Sequence, residues 1–262
     1  MEQNVIPYAT KKVPDASKLE LLPGSAYRWE VPIEVSHDVA PYERMRYGRV
    51  FQKMSVHLEW CTKTWLLSKY KDVSVERDVW LTCVPRLSNM LDYAKTHRTM
   101  NEHLGPLVMH IRSHHLVVGG YLRLGLHLPS FNRNCKILRM DVSFIQATTL
   151  HSRKRSGVVY PATPADKITF LKVEEEEFTD KMQNLQAIWI ARLPTCHQMR
   201  PSTQIGSTSA AIKVTHKLEV RLVFVPKGQP SGEKPITYSA MWPVTLPSVS
   251  VISAMISTRL RD

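Results

Sequence analysis

No stretch of this chain approaches the ~18 uninterrupted apolar residues of a membrane-spanning helix. Its opening, M-E-Q-N-V-I-P-Y-A-T-K-K, lacks the apolar core of a secretory signal, so the expectation is a cytoplasmic protein. Cysteine is sparse: Cys61, Cys83, Cys135 and Cys196 lie far apart and none falls in a C-x-x-C spacing. That pattern reads as free thiols in a reducing compartment rather than as a disulfide framework or a zinc site. G-x-S-x-G, H-E-x-x-H, P-loop and G-x-G-x-x-G motifs are all missing, so nothing supports an enzyme and no cofactor or metal is expected. Acidic residues are in the minority, with 23 Asp and Glu against 35 Lys and Arg, a net charge of +12. Such a balance favours anionic partners. Nucleic acid is the poorer choice among them, because neither a stacking-aromatic sheet motif nor a helix-turn-helix pattern accompanies the charge.

What the chain does have is alternation. In Ile212–Phe224 (I-K-V-T-H-K-L-E-V-R-L-V-F) every even position is apolar except His216, and the odd positions are Lys, Thr, Glu or Arg until Val223. Successive side chains of a strand point to opposite faces, so this is a long strand with one core face and one solvated face. Pro226 and Gly228 stop it, and Lys234–Leu246 is expected to return beside it. The same reading gives strands at Tyr27–Val35 (with Pro32 marking an edge or bulge), Val50–Trp60, Asp72–Val84, Leu107–Ile111, Tyr121–Leu128, Lys136–Gln146, Lys167–Val173 and Ile188–Leu193. Turns are expected at Leu21–Gly24 and at Gly119-Gly120. Ala40–Gly48 and Ser152–Asp166 read as basic loops, and Glu174–Glu177 as a solvated acidic run. Arg86–Gly105 breaks the pattern: Leu87, Met90, Leu91 and Ala94 sit at helical spacing, which suggests a short helix or linker. Many short strands separated by turns make the chain all-β, with two sandwiches in tandem.

Two basic groups are the candidate binding residues. Arg44, Arg46 and Arg49 cluster around Tyr42 and Tyr47, and Arg153, Lys154 and Arg155 follow His151-Ser152. Guanidinium and ammonium groups so concentrated suit phosphates on a receptor tail or anionic lipid headgroups. His216 falls on the core face of the organising strand and reads as a hydrogen-bonded core histidine. His114-His115 lacks a third ligand at metal-site spacing and reads as a surface pair.

Several stretches resemble the arrestin family, particularly the arrestin-related trafficking adaptors of fungi. They are G-P-L-V-M-H-I (Gly105–Ile111), V-V-G-G-Y-L-R-L-G-L-H-L-P (Val117–Pro129), I-L-R-M-D-V-S-F-I-Q-A-T-T-L (Ile137–Leu150), A-R-L-P (Ala191–Pro194), M-R-P-S-T (Met199–Thr203), I-K-V-T-H-K-L-E-V (Ile212–Val220) and P-V-T-L-P-S (Pro243–Ser248). They occur in the order of an arrestin C-terminal domain, while Leu21–Val35 and Tyr47–Val50 are similar to later strands of the arrestin N-terminal domain. The resemblance implies immunoglobulin-like sandwiches, the first incomplete because only a short leader precedes its L-P-G turn. It divides the chain into a leader (1–18), a partial first sandwich (19–85), a linker (86–104), a C-terminal sandwich (105–247) and a tail (248–262). It further implies a non-catalytic cytosolic adaptor, peripheral to plasma or endosomal membrane, that binds cytosolic tails of membrane proteins in ubiquitin-linked endocytosis or sorting. Such adaptors recruit ubiquitin ligases through P-P-x-Y, which this sequence lacks. Any ligase contact is therefore expected to be indirect, and the alternative is a scaffold that has lost the adaptor role.

Overall fold

The computed structural model describes residues 26, 32, 33, 35, 39, 42–45, 48–63, 68–81, 92–130, 135–151, 159–161, 164–182, 186–203, 211–228 and 234–247. The chain divides into two compact units, Met1–Val39 and Ala40–Asp262. In the first unit only isolated residues are described. The expected strand Tyr27–Val35 lies outside them except for Pro32, Ile33 and Val35, which are exposed and belong to no strand. The expected leader, the Leu21–Gly24 turn and the 248–262 tail also fall outside the described residues.

The second unit is built on the strand that the alternation marks. Strand β12 (Ile212–Pro226) lies between β8 (Cys135–His151) and β13 (Ile236–Val244), antiparallel to both. Together with β9 (Val159–Pro161) and β10 (Asp166–Glu174), both paired with β8, they make a five-stranded sheet. A second, four-stranded sheet runs in the order β11 (Gln186–Arg192), β7 (Tyr121–His127), β6 (Gly105–Ser113), β5 (Tyr93–Asn101). One core joins them. Leu107, Met109, Ile111, Leu122, Leu124 and Leu126 of the smaller sheet belong to the same buried cluster as Val142, Phe144, Leu218, Val220, Leu222 and Trp242 of the larger. The fold is an all-β sandwich.

Each face follows from period two. All seven even residues of β12 from Ile212 to Phe224 are buried, and so are the even leucines Leu122–Leu128. The outward face of the larger sheet is a polar ladder. Arg221 donates to Asp141 at 2.7 Å, Arg139 lies 3.2 Å from the same carboxylate, and Glu219 pairs with Lys167 and accepts from Ser239 at 2.9 Å. Burial alone would push the Glu219 carboxyl up. The Lys167 and Ser239 hydrogen bonds and the Lys167 and Arg221 charges outweigh it and hold that carboxyl below the usual range.

Besides the short strand β9, which stands inside the expected Ser152–Asp166 loop, three expectations are corrected. Within the Arg86–Gly105 stretch, Tyr93–Asn101 is neither helix nor linker but the edge strand β5, paired with β6 along its whole length; residues 82–91 lie outside the described set. Its half-buried positions include His97 and Thr99, polar residues that break the apolar alternation. His97 instead bonds the Tyr238 hydroxyl at 2.9 Å and meets the Trp242 ring edge-on. The acidic run is solvated as expected, Glu174, Glu176 and Glu177 being exposed, but Glu175–Glu177 form the first turn of a helix, α1 (Glu175–Lys181), whose Phe178 is buried against Trp189. Three glutamates suit a helix N-terminus, where the exposed N–H groups favour negative charge, and seven residues are too few to display a helical period. The third correction concerns the Ala40–Gly48 loop and is described with the site below.

Strands β3 (Gln52–Lys63) and β4 (Ser68–Val79) pair only with each other among the described strands. Their register puts Met54, Val56, Leu58, Val73 and Val75 on one face and Lys53, Glu76 and Asp78 on the other.

The Gly119-Gly120 turn is required sterically. Gly119 has φ +80°, a left-handed conformation that favours glycine, and its N–H bonds Pro194 O at 2.8 Å. A Cβ on Gly120 would stand 2.6 Å from the His115 carbonyl oxygen. That neighbour is backbone and cannot swing aside, so Gly120→Ala is expected to cost about 1–3 kcal/mol, the usual range for overpacking. Thermal denaturation checks this; an unchanged melting temperature would show that the turn relaxes freely.

Candidate functional site

The expected Ala40–Gly48 loop holds the first strand of a hairpin and the start of its second. Strand β1 (Glu43–Met45) pairs with β2 (Gly48–Val50), with only residues 46 and 47 between them. Three-residue strands are too short for alternation to announce them. The hairpin is tied at its base: Tyr42 N–H donates to Leu81 O at 2.9 Å, and the Tyr42 and Trp80 rings meet at 4.3 Å.

The register makes Arg44 and Arg49 direct cross-strand partners. Residues opposed in this way share a face with their Cβ atoms roughly 5 Å apart, and like charges there repel. Both residues are exposed, and neither is ion-paired with a carboxylate among the described residues. The Arg49 guanidinium lies over the Phe51 ring at 4.6 Å, which holds the charge in place without neutralising it. A third arginine joins them from far along the chain: Arg200 donates from Nη2 to the Arg44 carbonyl at 2.9 Å. Arg200 is itself positioned by its backbone N–H, which donates to Gln146 Oε1 at 2.8 Å.

Behind this surface a polar network fixes the loop that carries Arg200. Ser202 Oγ lies 2.9 Å from His216 Nδ1 and accepts the Leu246 N–H at 2.9 Å, so its own proton is free for the imidazole. His216 Nε2 then donates to Gln146 Oε1, 3.3 Å away. Thr203 bonds Val214 through both its N–H and its hydroxyl. His216 is therefore a neutral, satisfied core histidine, and burial pulls its pKa down to about 4. The Ser202 hydroxyl, buried and occupied on both sides, is not an exposed nucleophile.

The second basic group, Arg153, Lys154 and Arg155, lies outside the described residues, as does Arg46. The ends of the 152–158 segment are described, however. His151 and Val159 are register partners, and His151 N–H donates to Ala211 O at 2.7 Å beside the start of β12. The first residue of that strand, Ile212, is also the neighbour of the hairpin, with its Cδ1 3.9 Å from where a Gly48 Cβ would stand. The hairpin arginines and the attachment points of the second basic segment thus lie at the same end of the sandwich.

Sequence reasoning grouped charges by runs, and so it found Arg44 and Arg49 but not Arg200. Of the histidine pair, His114 lies 3.2 Å from Asp92 at the surface, and no metal-binding group of three His, Cys, Asp or Glu forms among the described residues. A cleft of about 420 Å³ between β10 and the segment after β11 is lined by Ile168, Phe170, Arg192, Leu193 and Pro194 with Thr169, Thr195 and Gln198. It offers one cation and no acid–base pair. Cys61, Cys135 and Cys196 are free thiols. No helix among the described residues is long and apolar enough to cross a membrane. Compared with protein-family models and with curated proteins, the chain matches none.

Proposed function

We propose that this chain is a non-catalytic recognition module of the arrestin type that binds phosphorylated cytosolic tails of membrane proteins. The single observation that carries the reading is the triad of Arg44, Arg49 and Arg200. Two like charges are set face to face on a hairpin and a third is bound to its backbone, an arrangement that a dianionic phosphate relieves by accepting charge-assisted hydrogen bonds. The immunoglobulin-like, arrestin-like description of the sandwich belongs to this reading, as does a tandem arrangement of two such sandwiches. So do a cytoplasmic location peripheral to plasma or endosomal membrane and a role in ubiquitin-linked endocytosis or sorting. Without a P-P-x-Y, ligase contact is indirect in this scheme. That same absence favours the second reading, a scaffold that keeps the sandwich and has lost the adaptor role.

Peptide titration tests it. A doubly phosphorylated tail peptide is expected to bind at least about tenfold more tightly than its unphosphorylated form, since each charged hydrogen bond contributes about 1.5–3 kcal/mol. Arg44→Gln/Arg49→Gln is expected to abolish the difference without changing the melting temperature, because both side chains are exposed. Equal affinity for the two peptides sinks the tail reading. Sedimentation with phosphatidylserine liposomes separates a lipid contact: each basic residue near such a surface contributes about 1 kcal/mol. Replacing Arg153, Lys154 and Arg155 by Ser then releases the chain only if that segment touches membrane.

A further inference from the structure

Among the described strands, β10, β13, β11 and β5 end the two sheets of the sandwich, with the short β9 beside β10, and β10, β13 and β5 carry features that oppose strand addition. Strand β5 presents Lys95 and Arg98, β10 carries Lys167 and Lys172 and a register shift between Thr169 and Leu171, and β13 contains Pro243. Charges, bulges and proline are the usual means by which a sheet edge is kept from pairing with another chain. Strand β11, Q-A-I-W-I-A-R, has none of them before its terminal arginine. It runs without a bulge from Gln186, opposite His127, to Arg192, opposite Tyr121. It has no proline and no charge before its last residue. On its outward face Ile188 and Ile190 are 49% and 70% exposed.

The order of residues on this edge points to its occupant. Turned about a two-fold axis at Trp189 and laid antiparallel on itself, the strand places Ile188 opposite Ile190 twice, Ala187 opposite Ala191 twice, and Arg192 opposite Gln186 at both ends. Outward residues meet outward residues, core-face residues meet core-face residues, and no like charges oppose. A palindrome of this kind satisfies the requirement of an isologous contact, in which one patch serves both subunits.

We propose that β11 is a homodimerisation edge, joining two copies of this chain into one continuous eight-stranded sheet through antiparallel β11–β11 pairing. Main-chain hydrogen bonds supply the ladder, and the Ile188–Ile190 pairs select the register. Pairing one residue out of step would set the outward isoleucines against the core-facing alanines and tryptophan.

Sedimentation velocity of the full chain over a concentration series tests the proposal. The parent is expected to show a reversible monomer–dimer equilibrium. Ile190→Lys alters both isoleucine pairs of the symmetric contact and introduces an edge charge of the kind that β5 and β10 already carry. It is expected to weaken dimerisation at least about tenfold while leaving the melting temperature unchanged, and Ile188→Lys to do the same. Met241→Lys, at an apolar position on β13 about as exposed as Ile188, is expected to dimerise like the parent. A parent that stays monomeric throughout overturns the proposal, as does a dimer indifferent to both lysines. A dimer lost in Val56→Lys but kept in Ile190→Lys also overturns it, placing the contact on the apolar face of the β3–β4 hairpin.

Discussion

Leu218→Asp is expected to unfold the sandwich. Leu218 is fully buried at the centre of β12, with Phe144 its register partner on one side and Trp242 on the other. The apolar cluster holds no Lys or Arg to pair with a carboxylate there, and burying it without a counter-charge costs several kcal/mol. That is on the order of the whole stability of a small domain, about 5–15 kcal/mol. One residue earlier, Lys217 is exposed on the outward face, and Lys217→Asp is expected to cost roughly 0.5 kcal/mol. Denaturant titration of the two variants compares adjacent residues with opposite fates. Equal midpoints would mean that β12 does not present its even face to the core.

The second large effect is on acid stability and comes from His216. Its pKa stands near 4 in the folded chain, against about 6.5 when exposed. Between those values the unfolded state takes up a proton that the folded state refuses, so stability rises with pH across this window. The contribution is fully present above about pH 6.5 and is withdrawn as the pH falls toward 4. With about 1.4 kcal/mol per pH unit, the loss is about 3 kcal/mol. Protonation would also give Nδ1 a hydrogen directed at Ser202, whose own hydroxyl proton would have to turn away. Through Gln146 and Ser202 the same event reaches the Arg200 loop. His216→Gln cannot take up that proton. Its denaturation midpoint is expected to fall much less than the parent's between pH 7 and pH 4.5, even if the variant is weaker at pH 7. Parallel pH dependences in the two proteins would show that His216 titrates normally in the fold.

The organising strand, its return, the leucine strand after Gly119-Gly120 and the strands at Lys136–Gln146 and Lys167–Val173 were all legible in the sequence. In each, apolar side chains recur at every second residue, and such a pattern has one physical solution, a sheet with a core face. The polar environment of His216 was legible for the same reason: an imidazole on a core face must find partners. Tertiary structure alone decided the rest. Strand β5 is a strand through its pairing with β6, and the partner of its half-buried His97 is Tyr238, 141 residues away, which no local period reveals. Helix α1 exists because Phe178 has Trp189 to cover; seven residues with three adjacent glutamates would not hold a helix alone. Arg200 belongs with Arg44 because the 199–203 segment is pinned to β12 and to Leu246, which brings it over the hairpin. Which residues are apolar, and at what period, is a local property of the chain. Which charges stand together is set by where the folded backbone returns.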